Sequence, residues 1–108
     1  MSNALQTFVD AANAFDIDGI LKLFADNGFI DDSSVGQVFH GHDGVRRYAE
    51  EYFVGYQTKS RILTQETINA HRSTARVDFT GNFGHEIGYF EIGTNDAGLI
   101  VSVKTYLE

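Results

Sequence analysis

Apolar residues recur with a helical period through the first half of the chain and with a period of two from about residue 58 onward. Leu5, Phe8, Val9, Ala12 and Phe15 stand three or four apart, which gathers them on one face of a helix, and Ser2 or Asn3 is placed to cap its start. Asp16 or Asp18 can cap a second, short helix with Ile17, Ile20, Leu21 and Phe24 inward, and Gly28 follows as a stop signal. Residues 29–32 read as a short strand, 33–36 as a loop and 37–40 as a brief extended piece. His42 or Asp43 then caps a third helix that turns Val45, Tyr48, Ala49, Tyr52 and Phe53 inward.

Four strands follow, over residues 60–70, 74–81, 85–93 and 99–107, linked by HRS, NFG and the turn-rich TNDAG. Connections this short favour antiparallel hairpins. Helices first and a long meander last predict an α+β domain, with three helices packed on one face of a curved, mainly antiparallel sheet and a pocket between the layers.

One strand carries an ambiguity that matters for function. In TARVDFTGN, Ala75, Val77 and Phe79 share one face while Arg76, Asp78, Thr80 and Asn82 share the other. The charged face either meets water, as an ordinary amphipathic strand would have it, or lines a polar pocket. Arg76 and Asp78 project about 7 Å apart on the same side, within reach of a shared ligand or of each other.

Length and composition narrow the classes. A chain of 108 residues, 43% hydrophobic and 13% aromatic, fits one folded domain over residues 1–108. A net charge of −7 opposes binding to nucleic acid or to an acidic membrane. The absence of cysteine removes disulfides, thiol nucleophiles and thiolate metal sites, and suits a cytoplasmic location. No apolar run is long enough to span a bilayer, and MSNALQTF lacks the order of a signal peptide. His40 and His42 beside Asp43 form H-x-H without a convincing third ligand, so capping or surface roles are the better reading and no metal is expected. Neither a phosphate-binding glycine loop nor a G-x-S-x-G elbow occurs, and no cofactor is expected.

The strings FDIDGILKLFADNGFIDD and FHGHDGVRRYAEEYF, followed by hairpin strands, resemble SnoaL-like members of the NTF2-like superfamily over essentially the whole chain. The resemblance implies a cone-shaped fold and a homodimer formed through the outer face of the sheet. It says less about chemistry, since this fold hosts isomerases, cyclases, dehydratases, epoxide hydrolases and non-catalytic binding modules. The general-base Asp of ketosteroid isomerases matches Asp32, whereas their oxyanion-hole Tyr falls at Phe8 and their late Asp near Tyr89 or Phe90. The R-V-D string of limonene-type epoxide hydrolases matches Arg76, Val77 and Asp78, whereas their second Asp falls at Thr105.

By that resemblance Arg76, Asp78 and Thr80 turn into the pocket beside Asp32, and Ala75, Val77 and Phe79 face a partner subunit. Asp32, enclosed by apolar groups, is the expected proton-transfer residue, with Arg76 and Asp78 polarising or orienting the substrate. Ile30, Tyr48, Tyr52, Phe53, Thr80, His85, Val103 and Thr105 complete the expected pocket lining. The function expected is cofactor-independent acid–base catalysis, of isomerase, cyclase or hydrolase type, on a small, partly apolar organic molecule. The alternative is a non-catalytic small-molecule-binding or protein-interaction module of the same fold.

Overall fold

The computed structural model describes residues 3–108, and its first helix follows the predicted stripe. Helix α1 (Ala4–Asn13) buries Leu5, Phe8, Val9 and Ala12, and the Asn3 side chain accepts a hydrogen bond from the Gln6 N–H at 3.1 Å. Ser2, the other candidate cap, lies outside the described residues. Asp16 caps helix α2 (Ile17–Leu23) by accepting from the Gly19 N–H at 2.9 Å.

Strand β1 (Phe24–Asp32) begins directly where α2 ends, earlier than predicted, so Gly28 lies inside a strand and does not stop the helix. The reason lies across the sheet: Phe24 already pairs with Ile100 of the last strand, and the register shifts between Phe24 and Phe29. Strand β2 (Gln37–His40) returns antiparallel to β1. Helix α3 (Gly41–Tyr48) has His40 at its N-cap without a side-chain bond. The expected cap His42 instead sets its ring nitrogen 3.1 Å from the Phe24 carbonyl, tying α3 to β1. Beyond Tyr48 the helix continues in the wider π form over Ala49–Val54.

Strands β3 (Lys59–Asn69), β4 (Arg72–Gly81), β5 (Gly84–Thr94) and β6 (Ile100–Leu107) form the predicted meander. The six strands make one sheet in the order β2-β1-β6-β5-β4-β3, with β1 and β6 parallel and every other pair antiparallel. The helices cover one face of it. Phe8 lies at the centre of the core, meeting the rings of Phe24, Phe53 and Phe90 edge-on at 5.3–6.0 Å between centroids.

The phase of β4 is opposite to the one the R-V-D match implies. Ala75, Val77 and Phe79 point under the helices and are 2%, 0% and 8% exposed, so the charged side chains of the strand lie on the outer face. The physical reason is the relative cost of the two arrangements. Burying Val77 and Phe79 gains about 1.5–3 kcal/mol each, whereas enclosing Arg76 and Asp78 would require removing two charges from water. Outside, both find partners: Arg76 pairs with Glu108 at 2.7 Å, and Asp78 lies 2.9 Å from Arg61 and 2.6 Å from His85.

Candidate functional site

A cavity of about 210 Å³ opens between the sheet and the helical layer at the end where β1 and β6 finish. Parallel pairing sets Asp32 of β1 beside Thr105 of β6, and antiparallel pairing sets Thr105 beside Phe90 of β5. All three residues turn inward and line the cavity. The rung below, Ile30 beside Val103, also points inward but is wholly buried in the core beneath.

Asp32 is held from two directions. The chain turns immediately after β1, and there the Ser34 N–H and Oγ both donate to Asp32 Oδ1, at 2.9 and 2.6 Å. Residues 33–36 form this turn because the Val35 and Gly36 N–H groups fold back onto the Asp32 carbonyl and Gly36 takes a positive φ of 69°, which a glycine adopts freely. From above, the Tyr48 hydroxyl donates to Asp32 Oδ2 at 2.6 Å. Asp32 is 6% exposed, and no cationic side chain lies within ion-pairing distance of it among the described residues. Neutral donors alone support the carboxylate.

That support acts in turn on Tyr48. Burial first, then the charge of Asp32 and the hydrogen bond to it, push the Tyr48 hydroxyl well above the ordinary tyrosine value. Its proton therefore stays in place and points at the carboxylate at any moderate pH. Tyr52 is raised as well, through burial and the neighbouring Glu51, Tyr56 and Asp32.

The π-helical stretch shapes the aromatic wall. Tyr48, Tyr52 and Tyr56 follow at four-residue steps, with centroids 4.8 and 5.6 Å apart, and Phe83 of the β4–β5 turn extends the row 6.1 Å beyond Tyr56. Gly81 makes this last contact possible: a Cβ there would stand 2.7 Å from the Tyr56 carbonyl and 3.0 Å from the Phe83 ring. Phe53, Phe79 and Phe90 provide apolar walls, Thr58 and Thr105 add hydroxyls, and Glu86 adds a second carboxylate.

Of the residues expected at the site, Asp32, Tyr48, Tyr52, Phe53 and Thr105 line the cavity. Arg76, Asp78, Thr80 and His85 do not, because the phase of β4 and β5 carries them to the opposite side of the sheet. Ile30 and Val103 belong to the sealed core one rung too deep. Lining residues not expected there include Ser34, Tyr56, Thr58, Phe83 and Glu86, and Phe79, expected on the outer face, is another. The four-residue tyrosine spacing and the D-D-S-S turn were signals for Tyr56 and Ser34, whereas Glu86 could be found only with the register of the β4–β5 hairpin in hand. Phe8, where the isomerase resemblance would have a tyrosine, and Phe90, one of the two positions near its late Asp, are buried phenyl rings in edge contact, while Tyr89, the other, bonds Glu108 on the outer face.

Solved structures with the same fold share little sequence with this chain. A computationally designed 17-OHP binder superposes with a TM-score of 0.86 at 18% identity, covering 97% of this chain and 88% of the other. A polyketide cyclase-like protein from Sinorhizobium meliloti gives 0.86 at 17% identity, with 97% and 94% covered. A Mycobacterium tuberculosis protein in complex with estradiol-17beta-hemisuccinate gives 0.84 at 19% identity, with 97% and 91% covered. No curated protein matches the chain. The family model for the SnoaL-like domain matches residues 5–103, nearly the full length, and the chain belongs to that family.

Proposed function

We propose that the protein acts, as one domain and without a cofactor, on a small, partly apolar organic molecule bound in this cavity, with Asp32 as the proton-transfer group. The observation that carries this reading is the buried carboxylate at the end of β1, held by Ser34 and Tyr48 and open to the cavity. A carboxylate fixed by neutral donors and surrounded by phenyl rings is positioned to take a proton from a carbon or oxygen acid and return it elsewhere on the same molecule. Thr105, beside it, supplies a hydroxyl that can orient a substrate oxygen. The cavity lies below the roughly 300–1,000 Å³ of drug-sized sites, so the substrate fits as a molecule of one or two rings. Structural neighbours that carry steroid-type ligands support the partly apolar character.

The test is solvent-deuterium exchange into small ketones, lactones and epoxides followed by NMR. Asp32→Asn should lower the rate about 10²–10⁴-fold while leaving ligand binding in place. Binding without exchange or turnover by the unaltered protein would favour the second reading, a non-catalytic binding module, which the phenyl rings at Phe8 and Phe90 support.

A homodimer through the outer face of the sheet accompanies this proposal. Phe29, Val38, Ile87, Tyr89 and Tyr106 give that face apolar area, with Tyr89 and Tyr106 stacked at 5.2 Å. Light scattering that finds one chain per particle across micromolar concentrations refutes it. A cytoplasmic location fits the cysteine-free composition. No helix among the described residues is long and apolar enough to cross a membrane.

A further inference from the structure

We infer that the cavity selects a cationic ligand, an alkyl- or arylalkylammonium whose charge lies at the mouth among Tyr56, Phe83 and Glu86 and whose apolar body reaches in towards Asp32. The inference rests on the reading that this cavity is the ligand site, and it names the chemical class that site takes.

The charges of the lining all have one sign. Asp32 and Glu86 are the carboxylates among the described lining residues, and no lysine, arginine or histidine joins them there. Arg76 of β4 and Arg61 of β3 are engaged on the far side of the sheet, Arg76 with Glu108 and Arg61 with Asp78. A carboxylate or phosphate ligand would therefore meet two like charges and no counterion, in a chain whose net charge is −7. Beside buried Asp32 the low surrounding dielectric strengthens that repulsion, whereas at exposed Glu86 water screens it. A cation at the mouth is instead attracted by both carboxylates, directly by Glu86 and at longer range by Asp32.

The aromatic wall favours the same sign. Ring faces carry negative potential and attract an ammonium within about 6 Å of the centroid. Tyr52, Tyr56 and Phe83 follow one another from the interior to the surface, and the outer two are 44% and 43% exposed. Glu86 sits opposite Phe79 on the β4–β5 hairpin, inward in phase yet exposed, which puts a carboxylate at the entrance. With the ammonium held there, Asp32 remains free to face a C–H or O–H group of the body.

The experiment is a calorimetric titration at neutral pH and low salt with three probes of similar shape, 2-phenylethylammonium, 2-phenylethanol and 3-phenylpropionate. Amide shifts of Phe83, Glu86 and Leu107 report whether each probe enters the cavity. The ammonium should bind about 10-fold more tightly than the alcohol, and the propionate should bind most weakly. Glu86→Gln should weaken the ammonium about 3-fold more than it weakens the alcohol. Glu86→Lys should reverse the order of the two charged probes. Glu86 is exposed, so both variants retain the fold, which the amide spectrum verifies. An alcohol or propionate that binds as tightly as the ammonium overturns the charge selection while leaving the cavity as the ligand site. Selection that survives Glu86→Lys overturns the role of Glu86. No binding by any of the three probes overturns both the selection and the ligand-site reading beneath it.

Discussion

The Tyr48 hydroxyl donates to Asp32 Oδ2 at 2.6 Å, joining helix α3 to the end of strand β1 across the cavity floor. Tyr48 is 5% exposed and Asp32 6%, so neither can recover the bond from bulk water. Tyr48→Phe keeps the ring and removes the donor, and should destabilise the protein by about 1–3 kcal/mol in urea unfolding. Catalysis or binding at Asp32 should weaken with it. A variant as stable as the parent would mean that Ser34 alone suffices to hold the carboxylate.

Alkaline titration should separate the tyrosines. Unfolded tyrosines ionise near 10. Tyr48 and Tyr52 are raised above that, and a hydrogen bond with Glu91, followed by burial, raises Tyr106 to about 12. The folded state thus keeps protons that the unfolded state gives up first, so stability is full below pH 10 and falls as pH rises beyond it. Phenolate absorbance should show at least these groups ionising late. Tyr48→Phe should reduce the alkaline loss of stability, and an unchanged pH profile in that variant would remove Tyr48 from this account.

The phase of β4 predicts unequal effects from adjacent residues. Phe79 packs edge-on against Phe90 at 5.3 Å, and Phe79→Ala should cost about 3 kcal/mol or more. Thr80→Ala, on the outer face, should stay within about 0.5 kcal/mol. Denaturant midpoints decide the matter, and equal effects would contradict the inward position of Phe79.

That strand also shows what was legible from sequence. Periodicity identified the helices and the four-strand meander because it records which side of each element is buried, and here burial obeyed the pattern of Leu5, Phe8, Val9 and Ala12 or of Ala75, Val77 and Phe79. The R-V-D string suggested the reverse phase, but three matching residues could not outweigh two large apolar groups seeking the core. Asp32 was picked out by its match to the isomerase Asp, since local sequence, an acidic pair before a polar turn, reads equally well as a simple turn start. Glu86 and Phe83 became part of the cavity only through the pairing of β4 with β5 and the position of Tyr56, which depend on contacts distant in sequence.

Gly81 offers a test of how the mouth is built. An added methyl would stand 2.7 Å from the Tyr56 carbonyl, a backbone atom that the Asn82 N–H already holds at 2.8 Å. Gly81→Ala should therefore cost about 1–3 kcal/mol through overpacking and separate Tyr56 from Phe83. Ligand affinity should fall more than a change at the exposed Gly98 turn would produce. Preserved affinity would show that the Tyr56–Phe83 contact does not shape the entrance.

Arg76 is engaged by the outer face, and acid titration can show it. Its Nε and Nη2 groups donate to both carboxylate oxygens of Glu108, at 2.7 and 3.0 Å, and Tyr89 adds a third donor at 2.9 Å. The hydrogen bonds from Arg76, then that from Tyr89, hold the Glu108 carboxyl down at about 2. Its unfolded value is about 4.3, so the folded state releases this proton more readily. The stability from the pair is present above that unfolded value and is lost as pH falls towards 2. The pair is exposed and screened by solvent, so the effect on total stability is small and the residue-specific titration is the better measurement. NMR should find Glu108 titrating near 2 in the parent. Arg76→Gln should move it up towards the ordinary glutamate value, with Tyr89 retaining part of the depression. A parent Glu108 that titrates normally would mean that the Arg76 fork is not formed in solution, and would free that guanidinium for other partners on the same face of the sheet.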